Sequence, residues 1–520
     1  MNTDMNQDMD VTVVGAGPVG LVLAAELALS GAKVQILERL TEPTGAMKAG
    51  AINTPAAEAL DRRGLRPAAE QVQREMLERM GSFARVADGE QSDDRPAPDT
   101  RFTGHFAGMT LDPGLVDWSD PDLAAHAAVD GAKLVPQPQF EAILAEHVAR
   151  LGIPVHRGVE VTTLEDTGDD VVVGTTAGTL RSKWLVGCDG GHSAVRKLAG
   201  IEFPGTDAEL TGYMAVVDIA DPEQLANGWT WTTQGVYRVG PQPGRLVTVE
   251  FDGSPADRSA PVTLEALQTS LRRVSGIDVT LTALRGNASR WSDNARQAAT
   301  YRSGRVLLAG DAAHVHSPFG GQGLNLGVGD AMNLGWKLGA VVAGWAPEGL
   351  LDTYEAERHP LGAWVLDWTR AQIGVLRGDS KSAALRDVIA QLLGTRDGAT
   401  FAVKQISGVT QHFDLPGDHP LVGRFAPDLA LRDGSRLADH GHGGGFLLLD
   451  RTPDGAFARL AAAWDGRVTS VTDDHATPAG VLVRPDGVVA WASDTADSTG
   501  LDEALNRWAG AASFVSDPVG

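Results

Sequence analysis

The sequence predicts an α/β protein built on a nucleotide-binding parallel sheet, because three widely separated segments each run from a short apolar strand through a turn of small residues into a helix. The first starts with Val11 to Val14, turns through Gly15-x-Gly17-x-x-Gly20 with Pro18 inside the motif, and continues as a helix from Leu21 to Leu29. Gly15 permits the tight turn, Gly17 lets backbone approach a pyrophosphate, and Gly20 lets the helix pack closely on the strand. A second strand, Lys33 to Leu37, ends at Glu38, 18 positions after Gly20. A carboxylate there suits an adenosine ribose 2′-hydroxyl and repels a 2′-phosphate.

The second segment is Leu185-Val186-Gly187-Cys188-Asp189-Gly190-Gly191, which leads through His192 and Ser193 into a short helix. In the third, the strand Val306 to Ala309 is followed by Gly310-Asp311 and then by Pro318-Phe319-Gly320-Gly321-Gln322-Gly323, with a helix from Leu324. Asp311 emerges at a strand's carboxyl end, where open α/β sheets bind ligands and where a carboxylate suits a ribityl hydroxyl. The first amides of the Leu324 helix and its positive dipole end suit the negative N1–C2=O edge of a reduced flavin. The three segments together indicate FAD.

In this order the motifs resemble those of the class A flavoprotein monooxygenases, the superfamily of para-hydroxybenzoate hydroxylase and phenol hydroxylase, over most of the chain. The chain is most similar to the angucycline- and anthracycline-type hydroxylases of aromatic polyketide biosynthesis, including Val135-Pro136-Gln137 and Tyr354-Glu355-Ala356-Glu357-Arg358-His359-Pro360. The resemblance implies a Rossmann-like FAD domain of the glutathione-reductase type (residues 8–80, 110–200 and 290–375), a β-sheet substrate domain (81–109 and 201–289) and a thioredoxin-like C-terminal domain (395–520). It places Asp189, Asp311, Pro318, Gly321, Gly323, Leu324 and Asn325 against FAD. Gln137 is either a flavin phosphate–ribityl contact or a simple helix-start glutamine. Lys48 stands where relatives carry an arginine, keeping the cation and losing bidentate geometry. Arg39 lies either over the adenosine or in solvent.

The activity so implied is NAD(P)H-dependent hydroxylation of a polycyclic aromatic polyketide by O2 through a flavin C4a-hydroperoxide. The flavin does the chemistry, so no catalytic side chain is expected. Nicotinamide nucleotide visits transiently, since no second dinucleotide motif is present. Trp229 and Trp231, two apart on a strand, share one face and with Phe319 either line an aromatic pocket or pack a sheet. Thr232-Thr233-Gln234 breaks the halogenase pattern Trp-x-Trp-x-Ile-Pro, and Gly108 stands where the Baeyer–Villiger signature beginning at Phe102 requires histidine. A Baeyer–Villiger oxygenase lacking that signature and a non-catalytic FAD-binding partner of a biosynthetic complex are the alternatives.

The 520 residues allow two to four domains, and a net charge of −23 argues against nucleic acid and anionic membranes as partners. The single cysteine, Cys188, excludes an intrachain disulfide and a dithiol couple. With a polar, acidic start and no run of 18 apolar residues, the expectation is a cytoplasmic monomer or homodimer. Residues 83–100 read as a mobile polar excursion, His440-x-His442 as a turn with no metal, His314 and His316 as hydrogen-bonding, and Arg358 as an intrahelical partner of Tyr354 or Glu355. Leu334, Leu338 and Val341 read as core.

Overall fold

The computed structural model describes residues 9–45, 48–88, 101, 103–129, 131–240, 242, 244–253, 260–474 and 477–512, with side chains between 48 and 88 described as far as 78. Its elements are β1 (Met9–Val14), α1 (Pro18–Leu29), β2 (Val34–Glu38), α2 (Thr54–Arg62), α3 (Arg66–Asp88), α4 (Gln137–Arg150), β3 (Val155–Arg157), β4 (Val161–Asp166), β5 (Val171–Thr175), β6 (Gly178–Gly187) and α5 (Ala194–Leu198). They continue with β7 (Thr211–Ile219), β8 (Gly228–Trp231), β9 (Gly235–Val239), β10 (Arg245–Glu250), α6 (Leu264–Ser275), β11 (Leu281–Leu284), β12 (Ser289–Ser292), β13 (Val306–Leu308), α7 (Gly323–Val342), α8 (Asp352–Leu376), α9 (Ser380–Leu393) and α10 (Arg396–Ser407). The last are β14 (Phe446–Asp450), α11 (Ala456–Ala461), β15 (Val468–Thr472), β16 (Gly480–Val483), β17 (Val489–Ser493) and α12 (Leu501–Ala509).

Five parallel strands in the order β13-β6-β1-β2-β3 form the first sheet, and the β4–β5 hairpin joins it antiparallel to β6. The chain steps from β1 outward to β2 and β3, then returns to the other side of β1 for β6 and β13. The order therefore reverses at β1/β6, where such sheets leave a crevice beyond their carboxyl ends. Val11, Val13, Leu185, Val186 and Leu307 are fully buried, as parallel strands covered on both faces require. Leu334 and Leu338 join this core and Val341 packs against it. The first helix starts at Pro18, three residues earlier than the apolar pattern suggests, because proline is well suited to a first turn.

A second, antiparallel sheet has the order β8-β9-β10-β7-β11, with β12 also on β7. The amphipathic α6 covers one face through Leu267, Leu271 and Val274 against Tyr237 and Leu246. Its other face carries Val236, Val247 and Val249, packed with Phe319, Ile373 and Leu376. In the C-terminal unit the order is β15-β14-β16-β17, with only the β14–β15 pair parallel. Buried ion pairs tie this unit to the first: Arg484 meets Glu357 at 2.7 Å and Asp486 at 2.6 Å, and Arg63 meets Glu26 at 2.5 Å while donating to Pro485 O at 3.0 Å.

Three sequence expectations change. Residues 83–88 continue α3, and 89–100 lie outside the described residues, as does Phe102. Helix α10 packs against Leu111 and Val116, not against the C-terminal sheet. Arg358 pairs with Asp330 of α7 at 2.8 Å and donates to Leu326 O at 2.9 Å, so its partner lies on a neighbouring helix and not on its own. The ion pair is buried, where a charge–charge contact outweighs a local i,i+4 one. No described helix is long and apolar enough to cross a membrane.

Candidate FAD site

The three strand–turn–helix motifs meet around the β1/β6 reversal. Gly15, at φ 109°, sits so close to Cys188 O that any Cβ would collide with it. Its N–H donates to Leu37 O at 2.7 Å, and Cys188 N donates to Val14 O at 2.7 Å. A Cβ on Gly310 would lie 2.9 Å from Val19 Cγ2, and one on Gly327 would lie 2.5 Å from the same atom. A Cβ on Gly191 would press on Val315 at 2.7 Å, while Arg196 Nη1 donates to Ala312 O at 2.8 Å. The obstacle is the Cys188 backbone at Gly15 and the side chains of Val19 or Val315 at Gly310, Gly327 and Gly191, so the three motifs pack too closely there for a side chain. Gly17, by contrast, has open space where its Cβ would stand, as does Gly321. Gly20 cannot carry a side chain without striking Gly15 O.

Glu38 is already tied into the first turn. Its Oε2 accepts from Ala16 N and its Oε1 from Leu40 N, each at 2.8 Å. Each oxygen keeps a second lone pair for a hydroxyl donor. Arg39 and Lys48 are exposed. Gln137 N donates to Ala49 O at 2.9 Å, next to Lys48, and its side-chain amide donates to Glu141 at 2.8 Å. Asp189 Oδ2 accepts from Ala194 N at 2.6 Å and Val195 N at 3.2 Å, so this oxygen holds the start of α5. Its Oδ1 is buried and unpartnered. An orphaned buried acceptor beside the glycine turn fits a hydroxyl-bearing ligand.

In the third motif Asp311, Pro318 and Gly321 are exposed, whereas Ala312, Ala313, His314, Ser317, Phe319 and Gln322 are buried. Gly323, Leu324 and Asn325 form the first turn of α7, whose leading amides have no intrahelical acceptor. Asn325 Oδ1 accepts from Asn53 N at 2.8 Å and its Nδ2 donates to Gly321 O at 2.9 Å, which locks the turn to the 48–53 segment. His314 Nε2 lies 2.6 Å from Asp330, and His316 Nδ1 lies 2.7 Å from Ser317 O, each in hydrogen-bond contact. The chemistry of these residues fits FAD: carboxylate acceptors at Glu38 and Asp189, open space at Gly17, and uncapped leading amides at the start of α7.

The tryptophans and Phe319 come together. Ring centroids of Trp229 and Phe319 are 5.5 Å apart, Trp291 and Phe319 5.6 Å, and His105 and Trp229 5.3 Å. Gly108, at φ 82°, seats both tryptophans: a Cβ there would lie 2.9 Å from Trp231 Cζ2 and 3.2 Å from Trp229 Cδ2. Gln372 joins the two turns by accepting from Ala107 N at 2.9 Å and donating to Phe319 O at 3.5 Å. Sequence reasoning missed His105, Gln372 and Trp291, which occupy separate segments without a motif. Burial, with a further push from Arg238, holds the His105 imidazole down at about 4, so it is neutral at neutral pH. A cleft of 670 Å³ lined by Trp364, Phe413 and Trp508 opens elsewhere, between α8 and the C-terminal unit; it takes in Ala356, Glu357 and Pro360 of the late segment but no residue of the three strand–turn–helix motifs.

Comparison with known proteins accords with this geometry. Residues 8–369 match the FAD binding domain family and residues 419–512 match the C-terminal domain of aromatic-ring hydroxylases. The chain belongs to this family of FAD-binding flavoproteins. It is 39% identical over 533 residues to the 12-dehydrotetracycline 5-monooxygenase/anhydrotetracycline 6-monooxygenase of Streptomyces rimosus, covering 96% of this chain and 99% of the relative. It is 40% identical over 513 residues to a rifampicin monooxygenase of Streptomyces venezuelae, covering 97% and 99%. Among solved structures, the anhydrotetracycline hydroxylase OxyS from Streptomyces rimosus superposes with a TM-score of 0.82 at 37% identity, over 98% of this chain and 100% of that one. The protein is accordingly an FAD-dependent monooxygenase with a mixed α/β fold.

Proposed function

We propose that this enzyme hydroxylates a polycyclic aromatic, polyketide-type phenol, with NAD(P)H as transient reductant and O2 as oxygen source. The observation that supports the reading is the packing of Phe319, in the third motif, on Trp229 and Trp291, with Trp231 in the same cluster, which puts an aromatic face next to the residues assigned to FAD. Bound FAD, once reduced, supplies the activation of dioxygen. Glu38 and the unpartnered Asp189 Oδ1 are assigned to hydroxyls along the cofactor, Gly15, Gly17, Pro18 and Gly20 to its pyrophosphate, and Asp311 to the ribityl chain. Leu324 and Asn325 present amides to the negative flavin edge, with Pro318, Gly321 and Gly323 lining the ring. Gln137 is assigned to the phosphate–ribityl region, Lys48 to the pyrophosphate and Arg39 to the adenosine. Phe319 and the tryptophans orient the substrate and exclude water. The names of the two relatives, an anhydrotetracycline 6-monooxygenase and a rifampicin monooxygenase, support this substrate class.

The proposed domain division is 8–80, 110–200 and 290–375 for FAD, 81–109 and 201–289 for substrate, and 395–520 for the C-terminal unit; its 289/290 boundary falls inside β12, which pairs with the substrate sheet, and α10 packs on the 111–116 segment. The C-terminal strand order and its single parallel pair support a thioredoxin-like arrangement. With Cys188 the only thiol in the chain, that unit has none to exchange, and its role is packing.

The test mixes anaerobically reduced holoenzyme and a polyhydroxylated anthrone with ¹⁸O2. One ¹⁸O in a new phenol, with NAD(P)H oxidation accelerated by the anthrone, is the expected result. Label drawn from water overturns the reading, a labelled lactone replaces it by Baeyer–Villiger insertion, and no anthrone-stimulated oxidation overturns the proposed substrate class.

A further inference from the structure

Two arginines on the aromatic face of the substrate sheet have no counter-charge among the described residues. Antiparallel register places Trp229 opposite Arg238, Arg238 opposite Val247 and Val247 opposite Met214, and directly opposed residues share a face. Arg245, two residues before Val247, lies on that face too. It is the face turned toward Phe319, since Tyr237 and Leu246 point the other way onto α6. Arg238 Cζ stands 5.4 Å from the Trp229 ring centroid, and Trp229 in turn touches Phe319 of the FAD turn. Arg245 Nη2 donates to the Met214 sulfur at 3.4 Å.

Among the described residues neither guanidinium forms an ion pair, and the Nε of each is buried without a hydrogen-bond partner. Burial works against both cations, and Arg238 repels Arg245. Removing like charges from water without an anion destabilises a fold, whereas Leu or Met at these positions would pack on the same tryptophans at no such cost. A guanidinium fork matches a carboxylate or an enolate–carbonyl pair in geometry as well as charge.

We propose that Arg238 and Arg245 form the recognition site for an anionic oxygen of the aromatic substrate, a phenolate, enolate or carboxylate, and fix which edge of the fused rings faces the flavin. This rests on the hydroxylase reading above. Aromatic packing alone holds a planar ligand without fixing its register, and a charged anchor at one end of the face supplies that register.

The experiment measures binding of anthraquinone-2-carboxylate and of its neutral analogue anthraquinone-2-carboxamide to the FAD-loaded enzyme at neutral pH, by quenching of tryptophan fluorescence. The wild type should prefer the carboxylate by about 10- to 100-fold, the range of a buried charge-assisted contact. Arg238→Met and Arg245→Met should each erode that preference with FAD content unchanged, and Arg238→Lys should retain part of it. No preference in the wild type overturns the proposal without recourse to any variant. So does a raised KM for NADPH in the Met variants, read as flavin reduction without aromatic ligand, with anthraquinone binding intact; that outcome assigns the pair to the nucleotide phosphates. Because this readout is binding, a carboxylate preference accompanied by no ¹⁸O transfer would sink the hydroxylase reading and leave the anion site standing.

Discussion

Asp330 Oδ2 lies 2.6 Å from His314 Nε2 while its Oδ1 lies 2.8 Å from Arg358 Nε, and neither the acid nor the histidine has any exposed surface. The same Oδ2 accepts from Gly310 N at 3.0 Å. One carboxylate thus ties the end of β13, the strand leading to Pro318, helix α7 and helix α8 into the wall behind the FAD turn. Burial pushes the Asp330 carboxyl up, but His314 and Arg358 outweigh it and hold it below the ordinary carboxylate range.

Replacing Asp330 by Asn keeps the volume and leaves Arg358 buried without its counter-ion. The expected loss is about 3–5 kcal/mol, the usual cost of breaking a buried pair. Urea unfolding of the holoenzyme measures it, and a loss under about 1 kcal/mol would show that the pair contributes little. The pH dependence has a definite sign. Because the folded-state value is depressed, the Asp330 contribution is complete above the unfolded value of about 3.9 and is lost as pH falls from there toward the folded value. Asp330→Asn should therefore flatten the acid limb of the stability curve.

Glu38 has two tasks, since it ties down Ala16 N and Leu40 N as well as facing the place assigned to the ribose. Glu38→Lys removes both acceptors and introduces a cation. FAD affinity should fall about 10- to 100-fold, equivalent to about 1–3 kcal/mol. Glu38→Gln keeps one acceptor oxygen and should fall less. Ultrafiltration of free from bound FAD decides the matter, and an unchanged dissociation constant in Glu38→Lys would remove Glu38 from the site.

His105 should titrate far from an ordinary histidine. Its folded value of about 4 arises first from burial among Trp229 and Phe319 and then from repulsion by Arg238. The sign follows from a depressed folded value: the unfolded chain takes up this proton first, so stability is lost as pH falls from about 6.5 toward 4. An NMR titration of the imidazole C–H should show its midpoint near the lower figure, and Arg238→Gln should move that midpoint upward. A midpoint near 6.5 in the wild type would mean that the ring is solvated.

The parallel strands and the glycine turns were legible because a buried strand is an unbroken apolar run and a phosphate turn needs small residues at fixed offsets. Relationships across segments were not legible. Arg358 looked like a local helix partner because sequence spacing reports only the same helix, whereas Asp330 reaches it from α7. Gly108 was legible only as a missing histidine, while the structure makes it the seat of two indoles, a packing constraint that no linear pattern carries. Whether Trp229 and Trp231 pack a sheet or line a pocket depended on what faces them, and Phe319 lies nearly ninety residues further along the chain.

Cys188 offers the last prediction, and a clean one, because the chain has no other thiol. The residue follows β6 at the closest approach of two motifs, and burial, with help from Asp189 and Asp330, pushes its thiol well above the ordinary range. A thiol in that state is a poor nucleophile, since reactivity belongs to the thiolate. Native protein should therefore react slowly with a disulfide reagent such as Ellman's and rapidly once unfolded in guanidinium. Cys188→Ala removes a single sulfur from a packed site, so it should cost at most about 1–2 kcal/mol of stability while keeping FAD and substrate turnover. A variant that retained FAD yet no longer oxygenated its substrate would show that the thiol takes part in the reaction.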